Sequence, residues 1–277
     1  MPLAVPILTY HAAVISGNDY ANNDHVAFAA DLRALRAHGW TVAGLDRIVA
    51  ALQGAATLPS DKVVGLSFDD GTDFDFLDLV HPRWGVQRSM FGVLQDFLRE
   101  HPHEQPHLHA TSFVVVSPQA RTELDASCLV GRGWWSDGWW TSAIASGRWS
   151  IASHSWDHNH LGVAQSVAKT DARGTFRNIT DFAAAEAEIA QATAHLKTFA
   201  ANAGDALFAY PYGESNDYLV RDYLPRHAQR IGLVAAFGSD PGPATPASDR
   251  WQLPRFVFGH HWNSPEGLAR LLRDVAR

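Results

Sequence analysis

The 277-residue chain is 46% hydrophobic and carries a formal net charge of -7, which gives enough apolar sequence for one large core and offers nothing to nucleic acid or an anionic membrane surface. A single cysteine, Cys128, excludes an intrachain disulfide and a cysteine-type zinc knuckle. No run of about 18 apolar residues is present, so no membrane-spanning helix is expected.

The first eleven residues, MPLAVPILTYH, lack the positive start and apolar stretch of a secretory signal. They predict a cytoplasmic protein, or an exported one if a leader has been removed. AVPILTY (4–10) is short and rich in β-formers, and reads as a strand ending at His11. In 24–39, Phe28, Leu32 and Leu35 recur at helical spacing, with Asp24 available as a cap and Gly39 as a stop. WTVAGL (40–45) predicts a strand, 46–54 a helix ended by Gly54, and KVVGLSF (62–68) a strand apolar on both faces. Helical pattern returns at 89–100, HPHEQPHLH (101–109) reads as a solvated loop, and 110–117 as a strand. A helix at 141–147 and a strand at 148–153, with His154 at its end, follow.

The longest predicted helix spans 181–204, with Phe182, Ala185, Ile189, Leu196 and Phe199 on one face, Thr180 as cap and Gly204 as stop. Strands at 206–210, 231–237 and 255–259 alternate with helices at 216–224 and 264–276, the last capped by Ser264 with Pro265 at its first position. Continuous apolar strands alternating with helices indicate a mostly parallel sheet buried on both faces. The expected architecture is therefore α/β: a distorted (β/α)7–8 barrel forming one domain over 1–277.

In such a barrel, chemistry gathers at the C-terminal ends of the strands. His11, Asp69 with Asp70, His154, Tyr212 and His260 all fall there. In SFDDG (67–71), two adjacent carboxylates point in different directions, so one can hold a metal while the other accepts a proton; Asp-Gly is also ordinary turn chemistry. In HSWDH (154–158), His154 and His158 are four apart and would share one side of a helical turn. Two imidazoles and a carboxylate make a common divalent-cation set with open positions.

These motifs resemble the metal-dependent polysaccharide deacetylases, carbohydrate esterase family four or NodB-like. The first family motif is similar to SFDDG, usually with Thr at its first position. The second, His-Ser/Thr-x-x-His, is matched by HSWDH, and the third, centred on Pro-Tyr-Gly, by YPYG (210–213). The N-terminal third, with ILTYH and LRAHGW before SFDDG, resembles the branch acting on poly-N-acetylglucosamine, in which strand order is permuted and the early histidine serves as acid.

The resemblance implies a hydrolase that removes acetyl groups from an N-acetylated, or O-acetylated, oligo- or polysaccharide. Asp69 would be the base, and Asp70, His154 and His158 would hold the metal, Zn²⁺ first and Co, Ni, Mn or Fe as alternatives. The Tyr212 backbone N–H would face the oxyanion, and His11 would be the acid, with His260 as runner-up. Ala209 stands where many members carry an arginine that steadies the base, and Arg255 is the candidate substitute.

Pro211 and Arg255 are expected near the substrate, as are Trp134, Trp135, Trp139 and Trp140, because indoles stack on sugar faces. Burial in the core is the competing reading for two of the four tryptophans. Trp156 is expected to pack beneath His154, and Asp73 and Asp75 to be cap or rim residues. Competing functions are a small-molecule amidohydrolase of the same fold, such as one opening cyclic imides, and a catalytically silent glycan-binding module. A glycosidase would need a second carboxylate across the cleft, and no other predicted strand ends in one.

Overall fold

Four buried residues, Ile7–Tyr10, form β1 in the computed structural model, which describes residues 3–169, 172–199 and 206–276. Helix α1 (Asp24–Ala37) is capped by Asn23 rather than Asp24; its side chain accepts from the amides of His25 and Val26. The Asp24 carboxylate is directed instead to the His11 amide at 2.8 Å. Strand β2 is only Thr41–Val42, because Leu45 already starts α2 (Leu45–Leu52). Strand β3 (Val63–Phe68) is buried throughout.

The hairpin β4 (Leu79–His81) and β5 (Gly85–Gln87) was not legible as strands, since each has three residues and exposed valines at Val80 and Val86. Helix α3 (Met90–Glu100) is capped by Ser89, and β6 (Ala110–Val114) follows. Helix α4 (Pro118–Cys128) is not among the elements expected from the sequence, although Ser117 caps it and Pro118 opens it. The same Ser-Pro signal marks the last helix.

Next come α5 (Trp140–Ala145) and β7 (Trp149–Ser153). The long helix is α6 (Phe182–Ala185) and α7 (Gln191–Leu196) joined by a π turn, Glu186–Ala190, and its cap is Asp181, not Thr180. The predicted stop at Gly204 lies outside the described residues. Strand β8 (Ala206–Ala209) leads to a helix that begins at residue 217, passes through a π turn at Leu219–Tyr223 and continues as α8 (Leu224–Ile231), so it starts where expected and runs further than 216–224. Strands β9 (Leu233–Phe237) and β10 (Phe256–Val257) precede α9 (Pro265–Val275), capped by Ser264 as expected.

Seven parallel strands run in the order β10-β1-β3-β6-β7-β8-β9, with β2 paired to the start of β3. The sheet curls, and its two ends approach at a single parallel bridge between Phe237 and Leu253. There the Leu253 N–H donates to Ala236 O at 2.8 Å and Gly238 N–H to Leu253 O at 2.9 Å. The distorted parallel barrel expected from the sequence is thus the observed fold. Among the described residues no helix is long and apolar enough to cross a membrane.

Strand periodicity explains how the fold builds a site. Side chains alternate faces along a strand. Ile7, Val63, Phe113, Ala152, Leu207, Ala209, Ala235 and Phe237 form one apolar cluster, joined by Leu45, Ile48 and Val49 of α2. Leu8, Tyr10, Val64, Leu66 and Phe68 belong to another, with Phe28 and Leu32 of α1, Leu94 of α3 and Leu268 of α9. The two-residue step that sets Ile7 in the first cluster carries Thr9 and then His11 to the same side. From Val63 it leads to Ser67 and Asp69, and from Ala152 to His154. Thr9 and Ser67 touch across β1 and β3 at 2.8 Å, both buried.

Candidate metal centre and catalytic groove

The Asp69 amide extends the β1–β3 ladder by donating to Tyr10 O at 3.0 Å. The chain then turns through two left-handed residues, Asp70 at φ 74° and Gly71 at φ 72°. A Cβ on Gly71 would lie 2.9 Å from the Val114 Cα and closer still to its side chain, so only glycine passes there. This turn makes the neighbouring carboxylates diverge. Asp69 is buried against the barrel, while Asp70 faces the histidines. The Asp70 carbonyl is held by the Val115 N–H at 3.1 Å and by Trp135 Nε1 at 3.0 Å.

His154 follows β7, with its amide on Val114 O at 2.9 Å. Its Nδ1 lies 2.9 Å from Ala209 O. A carbonyl accepts only, so Nδ1 carries the proton and the Nε2 lone pair is left for a ligand. His158 is not on a helical turn, contrary to the spacing argument. Ser155, His158 and Asn159 have φ of 68°, 65° and 42°, so the imidazoles converge through an irregular loop.

The Asp70 Oδ1 lies 3.8 Å from His154 Nε2 and 3.7 Å from His158 Nε2. One ligand atom from each of the three residues falls within 4.8 Å of the others, and no other such group occurs among the described residues. Burial lowers His154 below the ordinary imidazole value, although Asp69 and Asp70 oppose it. Burial, then His154 and His160 beside it, push His158 further down. Both rings are therefore neutral near pH 7, the state a metal ligand requires.

Asp69 and Arg255 form a bidentate pair, Nη1 to Oδ1 at 2.7 Å and Nη2 to Oδ2 at 2.9 Å. The guanidinium is fully buried, and its Nε donates to Gly238 O at 2.8 Å. Burial alone would raise the Asp69 carboxyl, but Arg255 and then His154 outweigh it and hold Asp69 well below the usual carboxylate range. Asp69 therefore stays ionised. The arginine absent at Ala209 is supplied from the residue before β10. Arg255 both lines the groove, where it was expected, and pairs with Asp69 as the candidate substitute arginine.

A groove of about 720 Å³ opens over these residues, with His11, Trp135, His160, Tyr212 and His260 in its walls. His11 is close enough to bear electrostatically on both Asp69 and His158. His260 is exposed on the rim beside His261, a groove residue the sequence reading did not single out. Tyr212 is left-handed at φ 60°, and its ring meets His158 edge-on at 4.4 Å. No described residue accepts the Tyr212 N–H.

Several expected site residues lie elsewhere. Trp139 and Trp140 are at most 2% exposed and belong to the core, so they cannot stack on a sugar. Trp134 packs edge-on against Phe74 at 5.1 Å, away from the groove, leaving Trp135 alone of the four in its wall. Pro211 is buried and does not line the groove. Trp156 lies against His195, and Ala209 O rather than Trp156 aims His154. Asp73 Oδ1 accepts from the amide and hydroxyl of Ser136, fastening the tryptophan loop. Asp75 is buried on Ser112 and is not a rim residue. In the histidine-rich loop, Gln105 is buried and ties Trp40 O and the Val42 amide at 2.8 and 2.9 Å.

The sequence model of the family described as polysaccharide deacetylase matches residues 57–229. Among solved structures, IcaB from Ammonifex degensii superposes with a TM-score of 0.65 at 20% identity, covering 99% of this chain and 97% of that one. The Streptococcus pyogenes deacetylase PplD, in complex with acetate, gives 0.63 at 20% identity over 98% and 99%. The BpsB deacetylase domain from Bordetella bronchiseptica gives 0.58 at 19% identity over 92% and 96%. At these identities the likeness establishes a shared fold. No curated protein matches the sequence significantly.

Proposed function

The chain belongs to the polysaccharide deacetylase family, and we propose that residues 1–277 act as one catalytic domain that hydrolyses acetyl groups from an N-acetylated saccharide, as in the poly-N-acetylglucosamine branch. The observation that carries this reading is the convergence of Asp70, His154 and His158 beside an ionised Asp69.

The donor set fits a divalent cation. Two neutral imidazoles and one carboxylate leave coordination positions open, which suits Zn²⁺ and also Co, Ni, Mn or Fe. When bound, such a cation lowers the pKa of a coordinated water toward about 7 and polarises the acetyl carbonyl.

Asp69 takes the proton of the attacking water, its carboxylate kept charged and aimed by Arg255. The Tyr212 N–H, which has no acceptor among the described residues, donates to the oxyanion. His11 protonates the departing amine. His260 is the runner-up, and its exposed place on the rim favours His11. The groove is open at its rim, where Tyr212 is 40% exposed, which favours a saccharide over a small imide enclosed in a pocket.

The test is a substrate panel. Zn²⁺-loaded protein is incubated with acetylated chitooligosaccharides, poly-β-1,6-N-acetylglucosamine, acetylxylan and a cyclic imide, following acetate release or ring opening. Acetate from an N-acetylated glycan, abolished in Asp69→Asn, supports the proposal. Turnover of the imide alone, or a variant equal to wild type, defeats it. His11→Ala should lower kcat by about 10²–10⁴-fold while metal content is kept, and His260→Ala should not.

A further inference from the structure

Five consecutive backbone amides carry the chain from one candidate histidine ligand past the other. Ser155 N–H donates to Ser153 Oγ at 3.3 Å, and His158 N–H to Ser155 Oγ at 2.9 Å. Asn159 N–H goes to Asp157 Oδ1 at 2.9 Å. The remaining two end on one residue: Trp156 N–H on Glu188 O at 2.9 Å and Asp157 N–H on Glu188 Oε2 at 3.3 Å. Glu188 is fully buried and 31 positions further along the chain than Asp157.

This loop needs an external hold. Its left-handed residues, Ser155, His158 and Asn159, all carry a Cβ, and such conformations persist only when the surroundings over-determine them. The amides of Val116 and Ser117 fix one side by donating to the carbonyls of Ser155 and Trp156 at 3.1 and 2.7 Å. Glu188 provides the other. It lies in the π turn between α6 and α7, and such turns recur at functional sites. Ser166 Oγ bridges Glu188 Oε1 at 3.3 Å and Asp157 Oδ1 at 3.4 Å, while Val167 N–H donates to Asp157 Oδ2 at 2.5 Å.

We propose that Glu188 is a positioning residue of the metal centre: with Asp157 and Ser166 it fixes the loop that presents His154 and His158 to Asp70, without touching a ligand atom itself. This rests on reading those three residues as a metal site. Residues bonded directly to metal ligands typically change affinity by about 10–100-fold when removed, and Glu188, one bond further out on the amides between the two histidines, should act toward the lower end of that range. Burial, then Asp157, push the Glu188 carboxyl well above the usual range, so glutamine is its close mimic.

The experiment measures Zn²⁺ affinity of the folded full-length protein by competition with a chromogenic chelator, alongside thermal unfolding of the metal-free form. Glu188→Ala should weaken Zn²⁺ binding about 10-fold, and Glu188→Gln should stay within about threefold of wild type. Asp181→Ala removes the cap of the same helix, where Asp181 Oδ1 accepts the Ala184 N–H at 2.9 Å. It should lower thermal stability and leave Zn²⁺ affinity unchanged.

Wild-type affinity in Glu188→Ala, equal loss in Glu188→Gln, or equal loss in Asp181→Ala would each overturn the proposal while leaving the metal site standing. A wild type that takes no Zn²⁺ would overturn both. Should Glu188→Ala not fold, Ser166→Ala serves: a severalfold loss of affinity supports the proposal and an unchanged value refutes it.

Discussion

Arg255 and Asp69, 186 positions apart in the chain, meet through two parallel hydrogen bonds of 2.7 and 2.9 Å in a buried layer under the groove. A bidentate guanidinium–carboxylate fork fixes orientation as well as charge. Asp69 is thereby ionised and aimed, and the positioning arginine comes from the end of the sheet nearest β1 rather than from the strand carrying Ala209.

Removing that arginine should be costly. Arg255→Met leaves Asp69 buried and unpaired, a change that costs about 3–5 kcal/mol, read as a lower urea midpoint. In wild type the folded carboxyl lies below its unfolded value of about 3.9. The stability it contributes is therefore complete above that pH and lost as pH falls further. In the variant burial is no longer offset, so Asp69 rises, and the acid limb of kcat/KM should move to higher pH. Arg255→Lys keeps the charge without the fork and should fall between. An acid limb that does not move would show that Arg255 does not tune the base.

Metal should stabilise the fold as well as activate it. Zn²⁺ at about a thousand times its Kd should add roughly 4 kcal/mol, seen as a raised Tm that a chelator reverses. Asp70→Asn and His158→Ala should lose that rise together with activity. A Tm indifferent to Zn²⁺, Co²⁺, Ni²⁺, Mn²⁺ and Fe²⁺ in wild type would count against the site.

The tryptophans should separate into two classes. Trp139→Ala and Trp140→Ala should each cost about 3–5 kcal/mol of stability, with KM of the folded protein little changed. Trp135→Phe loses the bond from Nε1 to Asp70 O, which should cost only about 1 kcal/mol of stability, and it should lower kcat/KM because that carbonyl belongs to the residue whose carboxylate faces the two histidines. A stability loss at Trp135 equal to that at Trp140 would contradict its place in the groove wall.

Asp24 should make stability fall with pH in the neutral range. Burial pushes its carboxyl up to about 7, against the opposing bond from the His11 amide. The unfolded value is about 3.9. A raised carboxyl contributes stability fully below the unfolded value and loses it as pH rises through the folded one. Asp24→Asn can still accept the His11 N–H and does not ionise. Its urea midpoint should therefore decline less between pH 5 and 8 than that of wild type, the remaining slope coming from groups such as Asp31, which burial also raises, to about 6, and parallel curves would refute the prediction.

The sequence alone made the parallel barrel legible, because buried strands and amphipathic helices write their period into adjacent residues. It also brought Asp69, Asp70, His154 and His158 together, because each pair sits in a contiguous motif at a strand end and the barrel puts strand ends on one rim. It did not reveal α4, whose helical face is weakly apolar despite the Ser117-Pro118 start, nor the loop geometry at His158, where left-handed residues replace a helical turn.

Which tryptophans are buried, what holds Asp69 and what grips the histidine loop were decided by tertiary structure. Each depends on distances between segments far apart in the chain, and no local period encodes those. Arg255 enters the sequence reading only through the family pattern, as the candidate to replace the arginine missing at Ala209, and Glu188 looks like an ordinary surface charge. Only closure of the sheet and docking of the 182–196 helix place them, fully buried, against the carboxylate and the backbone amides they serve.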